Sequence, residues 1–212
     1  MKDQTLDFYN QNAENYVNST LNLDMKENCD VFLSYLKPNA LICDLGCGSC
    51  RDTLYFKSKG FRVIPIDGSK QVALEAEKIT GQKVICQNFL DYDYKNTFDA
   101  VWACASIHHL NKTDFTKVLG NIEKSLKKDG ILFFCAKLGS QETVDEKGRV
   151  FLKFDENGFK DFLNETDLTK CLKIKKSYIS GDCQNRPDTC WVNFIMIKDK
   201  TKDLKQNLNN SL

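Results

Sequence analysis

The sequence predicts an α/β fold built on a doubly wound, mostly parallel sheet. Three observations carry that expectation. Residues 40–53, ALICDLGCGSCRDT, read as a buried strand, a tight glycine turn and the start of a helix. Strand-length apolar runs then alternate with amphipathic helical stretches across short loops, the pattern of right-handed crossovers. The last two runs, 171–179 and 190–198, leave no room for a helix between them and must pair antiparallel as a hairpin.

The elements follow in order. Residues 3–20 read as one helix, with Tyr9, Ala13, Tyr16 and Val17 on one face. Cys29, Phe32, Leu33 and Leu36 mark a second helix, stopped by Pro38. The strand at 40–45 ends in Asp44-Leu45 and breaks into Gly46-Cys47-Gly48. Ser49 is placed to cap the helix 51–59, whose first turn carries Asp52. Strand 61–66 leads to Asp67 and to Ser69, which caps a helix with Val72, Ala76 and Ile79 inward. Strands at 83–87 and 98–103 come next, then a helix marked by Phe115, Val118, Leu119, Ile122 and Leu126. Asp129-Gly130 turns into a fifth strand, and Phe159, Phe162 and Leu163 indicate a last helix before the hairpin.

The glycine turn points to a ligand. A dinucleotide fingerprint needs a third glycine where this chain has Arg51, and Asp44 beside the loop would repel a pyrophosphate. Asp44 suits an ammonium group instead. Asp67, at the end of the next strand, is placed to accept from both hydroxyls of a ribose. An acid for an amine and an acid for a ribose describe S-adenosylmethionine.

Asp44-Leu45-Gly46-Cys47-Gly48-Ser49 closely resembles the first motif of the class I S-adenosylmethionine-dependent methyltransferases, and Asp67-Gly68-Ser69 resembles their second. The family pattern has glycine where this chain has Cys50, a departure expected to crowd the methionine moiety slightly. Residues 101–106 (VWACAS) followed by His108-His109, with Arg186-Pro187 and Trp191-Val192-Asn193, look most like the small branch related to tellurite-resistance methyltransferases. The resemblance runs from Phe8 to Ile197. It implies a seven-stranded sheet ending in the antiparallel hairpin, with N-terminal helices capping the site. The product would be S-adenosylhomocysteine. The implied cofactor set is Tyr16, Asp44, Gly46, Cys47, Gly48, Arg51, Asp52, Asp67, Gly68, Ser69, Asn88, Phe89, Ala103 and Cys104. Asn88 stands where the family often has an acid reading the adenine amino group, and its amide oxygen can accept the same bond. Phe89 is either an adenine contact or core, and Cys104 contributes backbone to the cofactor wall. Tyr9 and Tyr16 either pack the leading helix on the core or line the pocket.

Composition bounds the rest. The 212 residues are 42% apolar and 28% charged, an ordinary globular balance. With 30 basic against 29 acidic side chains there is no field for nucleic acid or an anionic membrane. No signal peptide or spanning segment is read, so a cytoplasmic location is expected, as a monomer or homodimer. One domain is expected over 1–198, with a helical cap (1–36), a sheet core (37–198) and a polar tail (199–212). Ten cysteines without secretion read as free thiols, with Cys43, Cys86, Cys104 and Cys135 in buried strands. Cys47-x-x-Cys50 lacks two further ligands, so no metal is expected.

In such a sheet the ligand lies at the carboxyl ends of the strands. The segments there are 103–109, 137–157, the hairpin turn 180–189 and the leading helix. His108 and His109 titrate near neutrality and are the candidate catalytic bases, the alternative being capping or packing. Lys137, Arg149 and Arg186 suit an anionic small-molecule acceptor, or else pair with Asp145, Glu146, Asp182 or Asp188 on the surface. Trp191 walls the acceptor site or packs under the turn. Residues 103–106 lack the motif of amino-methylating DNA enzymes, and Cys104 lacks the proline that precedes the cytosine-5 nucleophile. Two rival classes remain: a non-catalytic cofactor-binding module, and a nicotinamide-dependent dehydrogenase.

Overall fold

The computed structural model describes residues 4–199. The tail expected over 199–212 lies outside the described residues except for Asp199. The chain runs α1 (Gln4–Gln11), α2 (Ala13–Thr20), α3 (Lys26–Leu33), β1 (Leu41–Leu45), α4 (Arg51–Ser58), β2 (Arg62–Asp67), α5 (Lys70–Thr80) and β3 (Ile85–Cys86). It continues through β4 (Phe98–Ala103), α6 (Lys112–Ser125), β5 (Leu126–Lys137), β6 (Glu142–Val144), β7 (Val150–Leu152), α7 (Glu156–Glu165), β8 (Leu172–Gly181) and β9 (Cys190–Lys198). Seven strands form one sheet in the order β3-β2-β1-β4-β5-β9-β8. The pairings among β1 to β5 are parallel, whereas β9 runs antiparallel to both β5 and β8. The doubly wound sheet and its closing hairpin are as the sequence predicts.

Both faces of the central strands are covered, so neighbouring residues enter opposite cores. Val101, Leu132 and Phe134 join Phe115 and Ile122 of α6 and Phe159 and Phe162 of α7. Ile42, Trp102 and Phe133 join Phe32 of α3 and Phe56 of α4. Trp102 stacks on Phe133 with ring centroids 3.9 Å apart.

Several boundaries differ from the sequence reading, each for a local reason. The leading helix is two helices, broken at Asn12, whose side-chain amide donates to Phe8 O at 2.8 Å and competes with the helical ladder. Ser49 does not cap α4. The N-cap is Cys50, left-handed at φ 61° and without a side-chain cap bond. That is the backbone geometry glycine adopts freely, so the departure from the family pattern costs strain at Cys50. Ser69 does cap α5, accepting from Val72 N at 3.2 Å. Ile79 is exposed, not inward, and Ala73 takes the buried place. The edge strand β3, only two residues long, offers nothing to cover Ile79 and leaves Cys86 exposed as well. Leu126 opens β5 and does not end the helix. The small antiparallel pair β6–β7 had no strand signal in the sequence; Asp145 ties its turn by accepting from Lys147 N and Arg149 N.

Phe134 is fully buried between α6 and α7, in contact range of Phe115, Phe159 and Phe194. Phe134→Ala is expected to lower unfolding stability by about 3–5 kcal/mol, read by urea denaturation. A loss below about 1 kcal/mol would show that this layer is not the packed core described.

Candidate functional site

The strand ends and the N-terminal helices enclose two cavities. The smaller, about 80 Å³, is lined by Gly46, Asp67, Gly68, Ser69, Asn88, Phe89, Ala105 and Ser106, and by Tyr9 and Tyr16 of the helical roof. Asp67, at the end of β2, accepts from Gly48 N (2.9 Å) and Ser69 N (2.8 Å), while burial raises its pKa. Each oxygen keeps a lone pair for a ligand hydroxyl. Gly46 has φ +80°, and a Cβ there would lie 2.3 Å from Ser106 Cβ, so only glycine closes this turn. Ser106 Oγ is buried without a partner among the described residues. Among the described residues no lysine or arginine lines this cavity. Hydroxyls and an apolar ring fit such a lining, and a pyrophosphate does not. Asn88 Oδ1 already accepts from Leu90 N at 2.9 Å, so one lone pair of its amide oxygen is spent on the local turn.

The larger cavity, about 690 Å³, reaches from the glycine turn to the hairpin. On the turn side it is lined by Cys47, Arg51, Asp52 and Cys104. Asp52 takes Arg51 Nε (2.7 Å) and Nη2 (2.9 Å), and accepts from Trp102 Nε1 at 2.9 Å. Asp44, Gly48 and Ala103 line neither cavity. Asp44 is buried and accepts from Thr53 Oγ1 at 2.6 Å; burial and the nearby Asp52 push its pKa up to about 8. Gly48 instead seats the roof, since a Cβ there would lie 3.0 Å from the Tyr16 hydroxyl. Cys47 and Cys50 are free thiols with sulfurs 3.8 Å apart.

On the hairpin side the cavity gathers Lys137, Arg149, Arg186 and Trp191, which the sequence proposed for the acceptor, with Phe8, Phe151, Asp182 and Asn193, to which it gave no site role. Both arginines are chelated by a carboxylate four residues earlier. Arg149 donates to Asp145 through Nε and Nη2 (2.9 and 2.7 Å), and Arg186 donates to Asp182 (2.9 and 2.6 Å). Trp191 Nε1 donates to the same Asp182 at 2.9 Å. Of the two readings open for these arginines, the pairing with Asp145 and Asp182 is realised, and it happens at the cavity wall.

His109 and Tyr9 stand where the two cavities meet. Nδ1 of His109 lies 2.7 Å from Val150 O, an acceptor, so it carries the proton. Nε2 therefore accepts from the Tyr9 hydroxyl at 2.9 Å. Burial, with Arg149 and Lys137 nearby, lowers the His109 pKa to about 4. His108 is fully buried, neither ring nitrogen has a partner among the described residues, and burial holds its pKa well below the usual value. Asn10 also escaped the sequence reading; its Oδ1 accepts from Ser69 Oγ at 2.8 Å and pins α1 to the turn after β2.

Residues 43–134 match the methyltransferase domain family. An uncharacterised methyltransferase of Alkaliphilus oremlandii is 27% identical over 135 residues, covering 58% of this chain and 62% of that protein. The chain thus spans about three fifths of that relative's length. One from Staphylococcus carnosus is 24% identical over 157 residues, 70% of this chain and 73% of that one. Among solved structures, the 1,6-didemethyltoxoflavin-N1-methyltransferase of Burkholderia thailandensis, with 1,6-didemethyltoxoflavin and S-adenosylhomocysteine bound, shares the fold. Its TM-score is 0.76 at 17% identity, covering 93% of this chain and 88% of that one. Over residues 43–134 the chain is thus similar to the methyltransferase domain family, and its fold is the one that solved methyltransferase adopts. The tellurite-resistance branch finds no support in these matches. Among the described residues no helix is long and apolar enough to cross a membrane.

The depressed His109 pKa has a consequence for stability. An unfolded imidazole titrates near 6.5, so the neutral, hydrogen-bonded His109 stabilises the fold fully above that pH. This contribution is lost as pH falls toward about 4. The gap in thermal midpoint between wild type and His109→Gln is expected to shrink steadily from pH 7 to pH 4.5. A gap independent of pH would contradict the buried neutral ring.

Proposed function

We propose that this protein transfers a methyl group from S-adenosylmethionine to an anionic small-molecule acceptor. The observation that carries the reading is that Tyr9, Tyr16, Gly46, Ala105 and His109 line both cavities. A donor held in one thus faces an acceptor held in the other. When bound, S-adenosylmethionine supplies a methyl on a positively charged sulfur, which keeps the electrons of the broken bond as the acceptor's lone pair takes the carbon. Such an activated donor needs mainly alignment and exclusion of water from the protein.

The chain's own residues divide that work. Asp67 receives the ribose hydroxyls, and Phe89 and Asn88 flank the adenine. Arg51 and Asp52, paired beside the glycine turn, offer opposite charges to the carboxylate and ammonium of the methionine part. Asp52 lines the cavity and Asp44 does not, which moves the ammonium role from the latter to the former. The bare turn at Gly46 and the backbone of 104–105 form the floor, with Tyr16 above. Lys137, without an ion-pair partner among the described residues, makes the far wall electropositive. His109 is the proton acceptor for a protonated nucleophile, reached through the Tyr9 hydroxyl, which is already bonded to Nε2. With a pKa near 4 it stays ready at neutral pH. His108 has no such partner and serves the acceptor cavity.

Asp67→Ala is expected to weaken S-adenosylhomocysteine binding about 10- to 100-fold by calorimetry, the loss of charge-assisted hydrogen bonds. Unchanged affinity would remove the ribose role.

A further inference from the structure

We propose, building on the methyl-transfer reading, that the acceptor is a flat aromatic acid carrying an amino or hydroxyl group, with its carboxylate on Lys137 and its ring beside Trp191 and His108. Three sets of unmet requirements in the large cavity define this ligand.

The first is charge. Lys137, at the end of β5, lies 3.7 Å above the Phe151 ring. Among the described residues it has no ion-pair partner, although Arg149 and Arg186 each have one. Arg186, Arg149 and Lys153 all repel its ammonium, and with burial they lower its pKa. A carboxylate would relieve that repulsion. A phosphate dianion suits the wall less well, because both guanidinium forks that would clamp it are closed onto Asp145 and Asp182.

The second is hydrogen bonding. His108 is fully buried and lines the cavity with one donor and one acceptor nitrogen unpartnered. Asn193 lines the same cavity, also fully buried; its amide nitrogen donates to Tyr178 O and Ser180 Oγ, and its Oδ1 has no partner among the described residues. Each such orphan has given up its bond to water without a replacement, which burial makes costly. The ligand must therefore bring at least one acceptor, for the His108 N–H, and one N–H or O–H, for Asn193.

The third is shape. The His108 ring stands edge-on to Trp191, with centroids 5.4 Å apart at 78°, and lies nearly parallel to Phe151 at 5.7 Å. Phe8, Tyr9 and Tyr16 line the same cavity from the roof. Rigid rings on both sides favour a planar guest over a flexible aliphatic one. Carboxylate, ring and protic substituent together meet all three requirements.

The test is calorimetry on protein saturated with S-adenosylhomocysteine. It is titrated with benzoate, salicylate and anthranilate, and with the uncharged salicylamide and anthranilamide. Salicylate or anthranilate is expected to bind at least about 10-fold tighter than its amide and tighter than benzoate, which lacks the donor. Lys137→Met should bring acid and amide to within about threefold of each other while S-adenosylhomocysteine still binds, and Lys137→Arg should restore the preference. Acids that do not bind, acids and amides that bind alike, or a preference that survives Lys137→Met would overturn the proposal. If S-adenosylhomocysteine itself gives no heat, the methyl-transfer reading fails instead, and the same titrations on the ligand-free protein still decide the aromatic-acid site.

Discussion

The site depends on one carboxylate and one missing side chain. Asp67, at the end of β2, accepts from the backbone of Gly48 after β1 and of Ser69 before α5. It thereby locks two adjacent crossovers of the sheet into one rim. Gly46 allows that rim to close on the loop after β4, because a single Cβ there would collide with Ser106. The two features make one pocket from three strand ends. They also decide its chemistry, since the fixed charge in the small cavity is negative and the backbone is bare. Such a lining favours a cation with hydroxyls over a polyphosphate.

The roof is held by a few polar contacts across long stretches of chain. Asn10 bonds to Ser69, Thr5 Oγ1 accepts from Val150 N at 3.2 Å, and Tyr9 reaches Val150 through His109. The kink at Asn12 divides α1 from α2, and Tyr9 on one and Tyr16 on the other meet edge-on with centroids 5.0 Å apart. The β6–β7 hairpin is thus part of the site: it supplies the carbonyl that sets the His109 tautomer and the Phe151 ring beneath Lys137. Acid–arginine clasps of the same four-residue spacing brace this hairpin and the β8–β9 turn.

The fold was legible because its signals are local and periodic. The strand–turn–helix at 40–53 and the alternation into two cores survive any detail of packing. Of the acids and glycines the sequence proposed for the candidate site, Gly46, Asp52, Asp67 and Gly68 line the cavities and Asp44 and Gly48 do not, because which side chain faces inward is a matter of packing. Asp44 and Asp52 both stand near the turn, and the sequence could not say that Asp44 would spend its oxygen on Thr53 while Asp52 faced the cavity. Likewise the sequence offered two equal histidines. Only the long-range approach of Tyr9 and Val150 distinguishes His109 from His108. Cys50 was read as crowding the ligand, whereas its left-handed backbone is what the family's usual glycine would relieve. Phe151 had no signal, and Ser106 and Asn193 stood in motifs without a role, because each looks like strand or loop filler until the sheet is assembled.

The central claim is that donor and acceptor meet at the wall shared by the two cavities. A crystal structure of the protein with S-adenosylhomocysteine tests it most directly. The account predicts the ribose on Asp67, the adenine beside Phe89 and the sulfur facing Tyr9 and His109. A ligand seated with its ribose away from Asp67, or with its sulfur turned from the Tyr9–His109 pair, would contradict it.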